Sequence, residues 1–197
     1  MPRSRLAPMV LLLLVLAACA SPATAPGPAL TPVPSGASDR VTPAAMSTVY
    51  PAHCEPRDHD ELPDPVCTPG AINPEVTQAS IGRTICMAGW TATIRPPTSY
   101  TNRIKQQAVT AYGAYAGTAL DSYELDHLIS LELGGAPAAV ANLWPEQGLH
   151  NAKDPVENAA KQAVCAGRLS LADAQHAIAT NWITLGHQLG VAGIPTS

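Results

Sequence analysis

The chain has 197 residues, 20 prolines, no phenylalanine and a formal net charge of −4. That acidic balance argues against a protein that coats nucleic acid non-specifically, because such binding comes from neutralising phosphates with Lys and Arg. The length suits one domain with a real core, once the N-terminal region is set aside.

Arg3 and Arg5 supply a positive n-region, and residues 9–18 are an unbroken apolar run. A bilayer core demands about 20 apolar residues, so this run reads as an export signal and not as a membrane span. Its end, Leu16-Ala17-Ala18-Cys19, resembles a bacterial lipobox. That resemblance makes residues 1–18 a signal peptide and Cys19 the first mature residue, lipidated and anchored to the outer face of the cell membrane. The alternative is ordinary secretion or periplasmic release, with Ala18-Cys19-Ala20 as a small-residue cleavage site. Residues 19–48 are rich in Ala, Pro, Ser, Thr and Gly, with few large apolar side chains to offset the entropy of ordering. They read as a semi-extended tether. Residues 49–197 remain as one domain with no visible repeat.

Within that domain the cysteines are Cys54, Cys67, Cys86 and Cys165. An even number in an exported chain argues for disulfides, and three pairings are open to four cysteines. The favoured set is Cys54–Cys67, closing a short Pro/Asp-rich loop, with Cys86–Cys165 joining early and late parts of the domain. A zinc site at His53, Cys54, His59 and Cys67 is the competing reading, but the spacing matches no familiar finger.

Asn73-Pro74-Glu75 predicts a helix start, with Asn as N-cap and Pro at the first helical position, running through Ile81 to about Cys86. Trp90–Ile94 alternates and predicts a short strand ended by Pro96-Pro97. Residues 101–112 predict a helix entered from Ser99 or Thr101. A strand over Tyr123–Leu128 follows, then a turn at Gly134-Gly135, then a second strand over Ala139–Trp144. Asp154-Pro155-Val156-Glu157 predicts a helix to about Ala166, and Ser170 opens a last helix to about Leu189. The class is α+β, with strand, loop, strand and helix in succession.

Charge is uneven along the chain. Residues 76–120 hold no Asp or Glu but do hold Arg83, Arg95, Arg103 and Lys105, whereas Asp121 to Glu132 is acidic. A basic surface beside an acidic pocket suits phosphate held against a divalent cation. Dispersed arginines that merely solvate helix faces are the plainer alternative.

The segment YELDHLISLELGG at residues 123–135, followed by NLWPE, His150-Asn151 and KDPVEN, resembles the HNH, or His-Me finger, nucleases. Their core is a ββα-metal motif. A wider resemblance, from about Thr68 to Trp182, is to secreted bacterial HNH-nuclease-like proteins. It rests on PGAINPEVTQ, IC–GW, IRPP–SYTN, VCAGRLSL and AQHAIATNW as well. The resemblance implies a small ββα-metal core with additional helices and metal-dependent phosphodiester hydrolysis of nucleic acid, DNA ahead of RNA. It makes His127 the general base, with Asn142 holding the loop that orients it. Asp126 becomes a ligand to a divalent ion, Mg²⁺ or Mn²⁺ with Zn²⁺ as the lesser choice, and His150 or Asn151 becomes the second ligand. Arg95, Arg103, Lys105 and Lys153 are candidates to contact substrate phosphates. Glu124, Glu132, Glu146 and Glu157 are candidates to support the ligands. The competing function is a non-catalytic envelope lipoprotein that uses the same fold as a binding scaffold. Trp90, Trp144 and Trp182 read as core, and His176 and His187 as ordinary helix positions.

Overall fold

The computed structural model describes residues 49–196 except Asp60, Ala116, Leu149 and His150. The signal segment, the Cys19 lipidation site and the tether therefore lie outside the described residues. The elements in chain order are α1 (Trp90–Ile94), α2 (Thr98–Ala111), β1 (Tyr123–His127), β2 (Leu143–Gln147), α3 (Lys153–Cys165) and α4 (Leu171–Gln188), linked by short 3₁₀ turns. The mixed α and β class agrees with the sequence reading.

Strands β1 and β2 form an antiparallel pair, with Glu124 opposite Glu146, Asp126 opposite Trp144 and His127 opposite Leu143. Successive side chains on a strand point to opposite faces, and that alternation divides the molecule. Tyr123, Leu125 and Leu143 join α2 in one apolar cluster around Ile104, Ala108 and Tyr112. Glu124, Asp126, Trp144 and Glu146 stand on the other face, toward α3. A second cluster holds α3 against α4 through Val156, Ala160, Val164, Ile178 and Trp182.

Both favoured disulfides are present. Cys54–Cys67 has an S–S distance of 2.08 Å, and Cys86–Cys165 has one of 1.90 Å. Their thiols are therefore taken, which removes the zinc alternative at His53, Cys54, His59 and Cys67. The bonds agree with an oxidising compartment. Among the described residues no helix is long and apolar enough to cross a membrane.

Four local expectations need correction. Asn73 starts no helix. Its Oδ1 accepts from the Glu75 amide, and Ser80 Oγ binds both the Glu75 carbonyl and the Thr77 amide, taking groups a helix would use. Only the turn Ile81–Arg83 is 3₁₀-helical there. Trp90–Ile94 is one short helix following left-handed Gly89, not a strand. A strand needs a partner for its backbone groups, and among the described residues none pairs with it. The second strand starts at Leu143, later than expected, because Val140–Asn142 forms a 3₁₀ turn. Helix α3 begins at Lys153, with Asn151 Oδ1 accepting the Lys153 amide at 2.8 Å, so Asn151 and not Asp154 closes its start. The last helix fits expectation. Ser170 Oγ accepts the Asp173 amide, and a break at Asn181 is re-capped by that residue's own Oδ1 on the Thr184 amide.

Candidate functional site

His127 ends β1 and is 8% exposed. Its Nε2 lies 3.0 Å from the Pro137 carbonyl oxygen. A carbonyl only accepts, so Nε2 carries the proton and Nδ1 keeps its lone pair in the neutral ring. Burial holds the imidazole below its ordinary value, although the neighbouring Asp126 charge acts the other way.

The loop that carries Pro137 is tied down by Asn142, which is fully buried. Asn142 Oδ1 accepts from the Ile129 amide at 2.9 Å, while Nδ2 donates to the Ile129 and Ala136 carbonyls at 2.9 and 3.2 Å. One amide side chain thus joins both ends of the connection between β1 and β2, next to the residue that holds His127. The glycine pair has its own physical reason. A Cβ at Gly135 would sit 1.7 Å from the Ile129 carbonyl oxygen, and Gly134 has φ +75°, with Val76 against the place of a side chain.

Asp126 and Lys153 form the centre of a buried ion cluster. Lys153 is 1% exposed. Its Nζ donates to Asp126 Oδ2 at 2.6 Å, to the His127 carbonyl at 2.9 Å and to Glu157 Oε1. Burial opposes both charges of the Asp126–Lys153 pair, but each outweighs it for the other. The Asp126 carboxyl is held below its ordinary value and the ammonium above its own. Glu146 and Glu157 behave differently. Burial, reinforced by the Asp126 charge, raises Glu146 well above the ordinary carboxyl value. Burial pushes Glu157 up to about 7 against the pull of Lys153. Neither oxygen of Glu146 makes a hydrogen bond of standard geometry.

These contacts correct the expected metal centre. Among the described residues, no group of three or more His, Cys, Asp or Glu could hold a metal ion. Asp126, the expected ligand, is bonded to an ammonium, and the oxygen of Asn151 is bonded to the start of α3. His150 lies outside the described residues. The residues present do not fit the expected Mg²⁺, Mn²⁺ or Zn²⁺, because a divalent ion at Asp126 would face the buried charge of Lys153 at close range.

Two open clefts meet at His127. One, of about 290 Å³, is lined by Arg95, Glu124, Asp126, Ser130, Glu132, Asp154 and Glu157 around the ring. The other, of about 460 Å³, runs along the start of α2 past Arg95, Thr98, Thr101, Asn102 and Lys105. Arg95 and Glu124 border both, and burial raises the Glu124 carboxyl above its ordinary value. Of the four expected phosphate contacts, Arg95 and Lys105 are therefore brought to the site. Arg103 lies over the Tyr100 ring, 5.4 Å from its centre, and borders a separate groove beside Tyr50. Lys153 is buried beneath the clefts and lines neither of them. Glu132 pairs with Lys161 at 3.0 Å. Ser130 and Asp154 in the first cleft, with Thr98, Thr101 and Asn102 in the second, are lining residues that sequence reasoning did not assign to the site. A helix start of Thr, Ser and Asn carries no signal beyond capping.

The remaining aromatic and histidine readings also find their places. Trp144 and Trp182 are fully buried, Trp90 packs against the α3–α4 cluster, and His176 and His187 are exposed on α4. No family model, no curated protein and no solved structure matches this chain.

Proposed function

We propose that this chain hydrolyses phosphodiesters, with nucleic acid as substrate and DNA ahead of RNA, outside the cell membrane. The observation that carries this reading is the state of His127. Its Nε2 proton is engaged by Pro137, which leaves Nδ1 as a base in a neutral ring bordering an open polar cleft. A neutral imidazole can take the proton of a water as that water attacks phosphorus. Arg95 borders the cleft, and a guanidinium can bind two phosphate oxygens at once and stabilise the charge that grows on them. Lys105, with Thr98, Thr101 and Asn102, continues the path for a neighbouring phosphate. The resemblance to HNH nucleases supports the choice of substrate. The lipobox-like end at Cys19 would hold the enzyme at the outer face of the membrane.

The satisfied ion cluster of Asp126, Lys153 and Glu157 favours a second reading, the non-catalytic envelope scaffold, since buried ion networks also serve conformational specificity. One experiment separates the two. The mature protein and its His127→Ala variant are incubated with plasmid, single-stranded DNA and RNA, in parallel with Mg²⁺, Mn²⁺ and EDTA. Cleavage by the wild type that is lost in the variant supports the hydrolase. Equal cleavage by both traces to a contaminant, and no cleavage under any condition favours the scaffold.

A further inference from the structure

We propose that Lys153 is the resident cation of this site: a positioning residue whose ammonium takes the place that the HNH resemblance gives to a divalent ion. The proposal concerns how the site is held together and stands independently of the reaction performed there.

The contacts of Lys153 have the form of a small coordination shell. An ammonium has three donors, and here all three are used, on Asp126 Oδ2, the His127 carbonyl and Glu157 Oε1. Two of these acceptors come from the end of β1 and one from α3, so a single charge fastens the strand that presents His127 to the helix beneath it. One of the two β1 acceptors is the backbone carbonyl of His127 itself, which fixes the strand end that carries the base.

Charge balance favours the same assignment. Asp126 pairs with the ammonium at 2.6 Å, and Glu146, its diagonal neighbour across the sheet, is buried with no good hydrogen-bond partner. One lysine can compensate that cluster only while part of it stays protonated. A divalent ion would need the carboxylates ionised and the ammonium displaced, yet Lys153 is 1% exposed and closed in by its partners. Placing both cations together would set like charges against each other in a medium that screens them poorly.

The test uses the mature protein and follows the ring resonances of His127 by NMR, with the exposed His176 and His187 as internal controls. Mn²⁺ is the probe, because it broadens the resonances of nuclei close to where it binds. Thermal unfolding is recorded in parallel, since an ion that binds the folded state raises Tm. For the wild type the expected result is broadening at His127 no greater than at the controls, and the same Tm in Mn²⁺ and in EDTA. Lys153→Met removes the charge at similar length, and is expected to lower Tm and to make both His127 broadening and Tm respond to Mn²⁺. Lys153→Arg keeps the charge and is expected to stay insensitive to Mn²⁺. Selective broadening of His127 in the wild type overturns the proposal, and so does a folded Lys153→Met protein as indifferent to Mn²⁺ as the wild type. If Lys153→Met does not fold, the wild-type and Lys153→Arg titrations decide the question alone, and selective broadening in either one overturns it.

Discussion

Replacing Asn142 with Ala should be among the most damaging single changes in the domain. The side chain is fully buried and makes three hydrogen bonds of good length to backbone groups of Ile129 and Ala136. A fourth contact, from the Ala71 amide, is 3.4 Å long and is left out of the sum. Truncation strands the Ile129 amide and two carbonyls. A buried group without a partner costs about 1–3 kcal/mol, so three cost roughly 3–6 kcal/mol after some relief from an entering water. A domain of this size loses about 2–4 °C of Tm per kcal/mol, which places the expected fall between roughly 6 and 24 °C. Asn142→Asp should fare little better, because it keeps the acceptor but sets a carboxylate oxygen against two carbonyls. Circular-dichroism melts of the two variants and the wild type measure this directly. A loss below about 1 kcal/mol in Asn142→Ala would refute the reasoning, since it would mean that the backbone groups find other partners and the loop does not depend on the clamp.

Two further outcomes follow from the crosslinks and the buried acids. Removing Cys54–Cys67 by double Ser substitution should cost about 3 kcal/mol, and removing Cys86–Cys165 about 4.5 kcal/mol, because loop entropy grows with the separations of 13 and 79 residues. Urea unfolding gives both values, and the reverse order would count against the entropic account. Stability should also fall as pH rises. Glu157 is pushed from 4.5 to about 7 and Glu146 well above 4.5, so across that interval the folded state holds protons the unfolded chain has released. Their contribution is complete below the unfolded value and is lost as pH passes the folded one. His127, lowered from 6.5, acts in the opposite sense. Urea midpoints between about pH 5 and pH 8 should decline, and Glu157→Gln should flatten the decline; an unchanged slope in that variant would sink the assignment.

What the sequence revealed depended on how local its cause was. Ser170 declares its helix because the cap and the amide it binds are three residues apart. The strand at Tyr123–His127 is legible for the same reason, since alternation is a property of neighbours. Trp90–Ile94 alternates equally well and becomes a helix, because a strand also needs a partner that no local pattern supplies. Asn73 and Pro74 give a good helix signature that Ser80 overrides, by capturing two backbone groups from further along the chain. The burial of Lys153 has no local cause. Lysine is by default an exposed cation, and only its meeting with Asp126, distant in sequence, puts it inside. The presence of Asp126 and His127 side by side was readable, but which cation Asp126 holds was not.

The long disulfide has a consequence for when the site can exist. Arg95, Lys105, Asp126, His127, Asn142, Lys153 and Glu157 all lie between Cys86 and Cys165, so one covalent ring encloses every one of them. A chain still in a reducing compartment lacks that ring and the constraint it places on the unfolded state. Maturation of the cleft is thereby tied to the redox step that follows export. The crosslink sets a time and a place for the cleft to form, in addition to its strength.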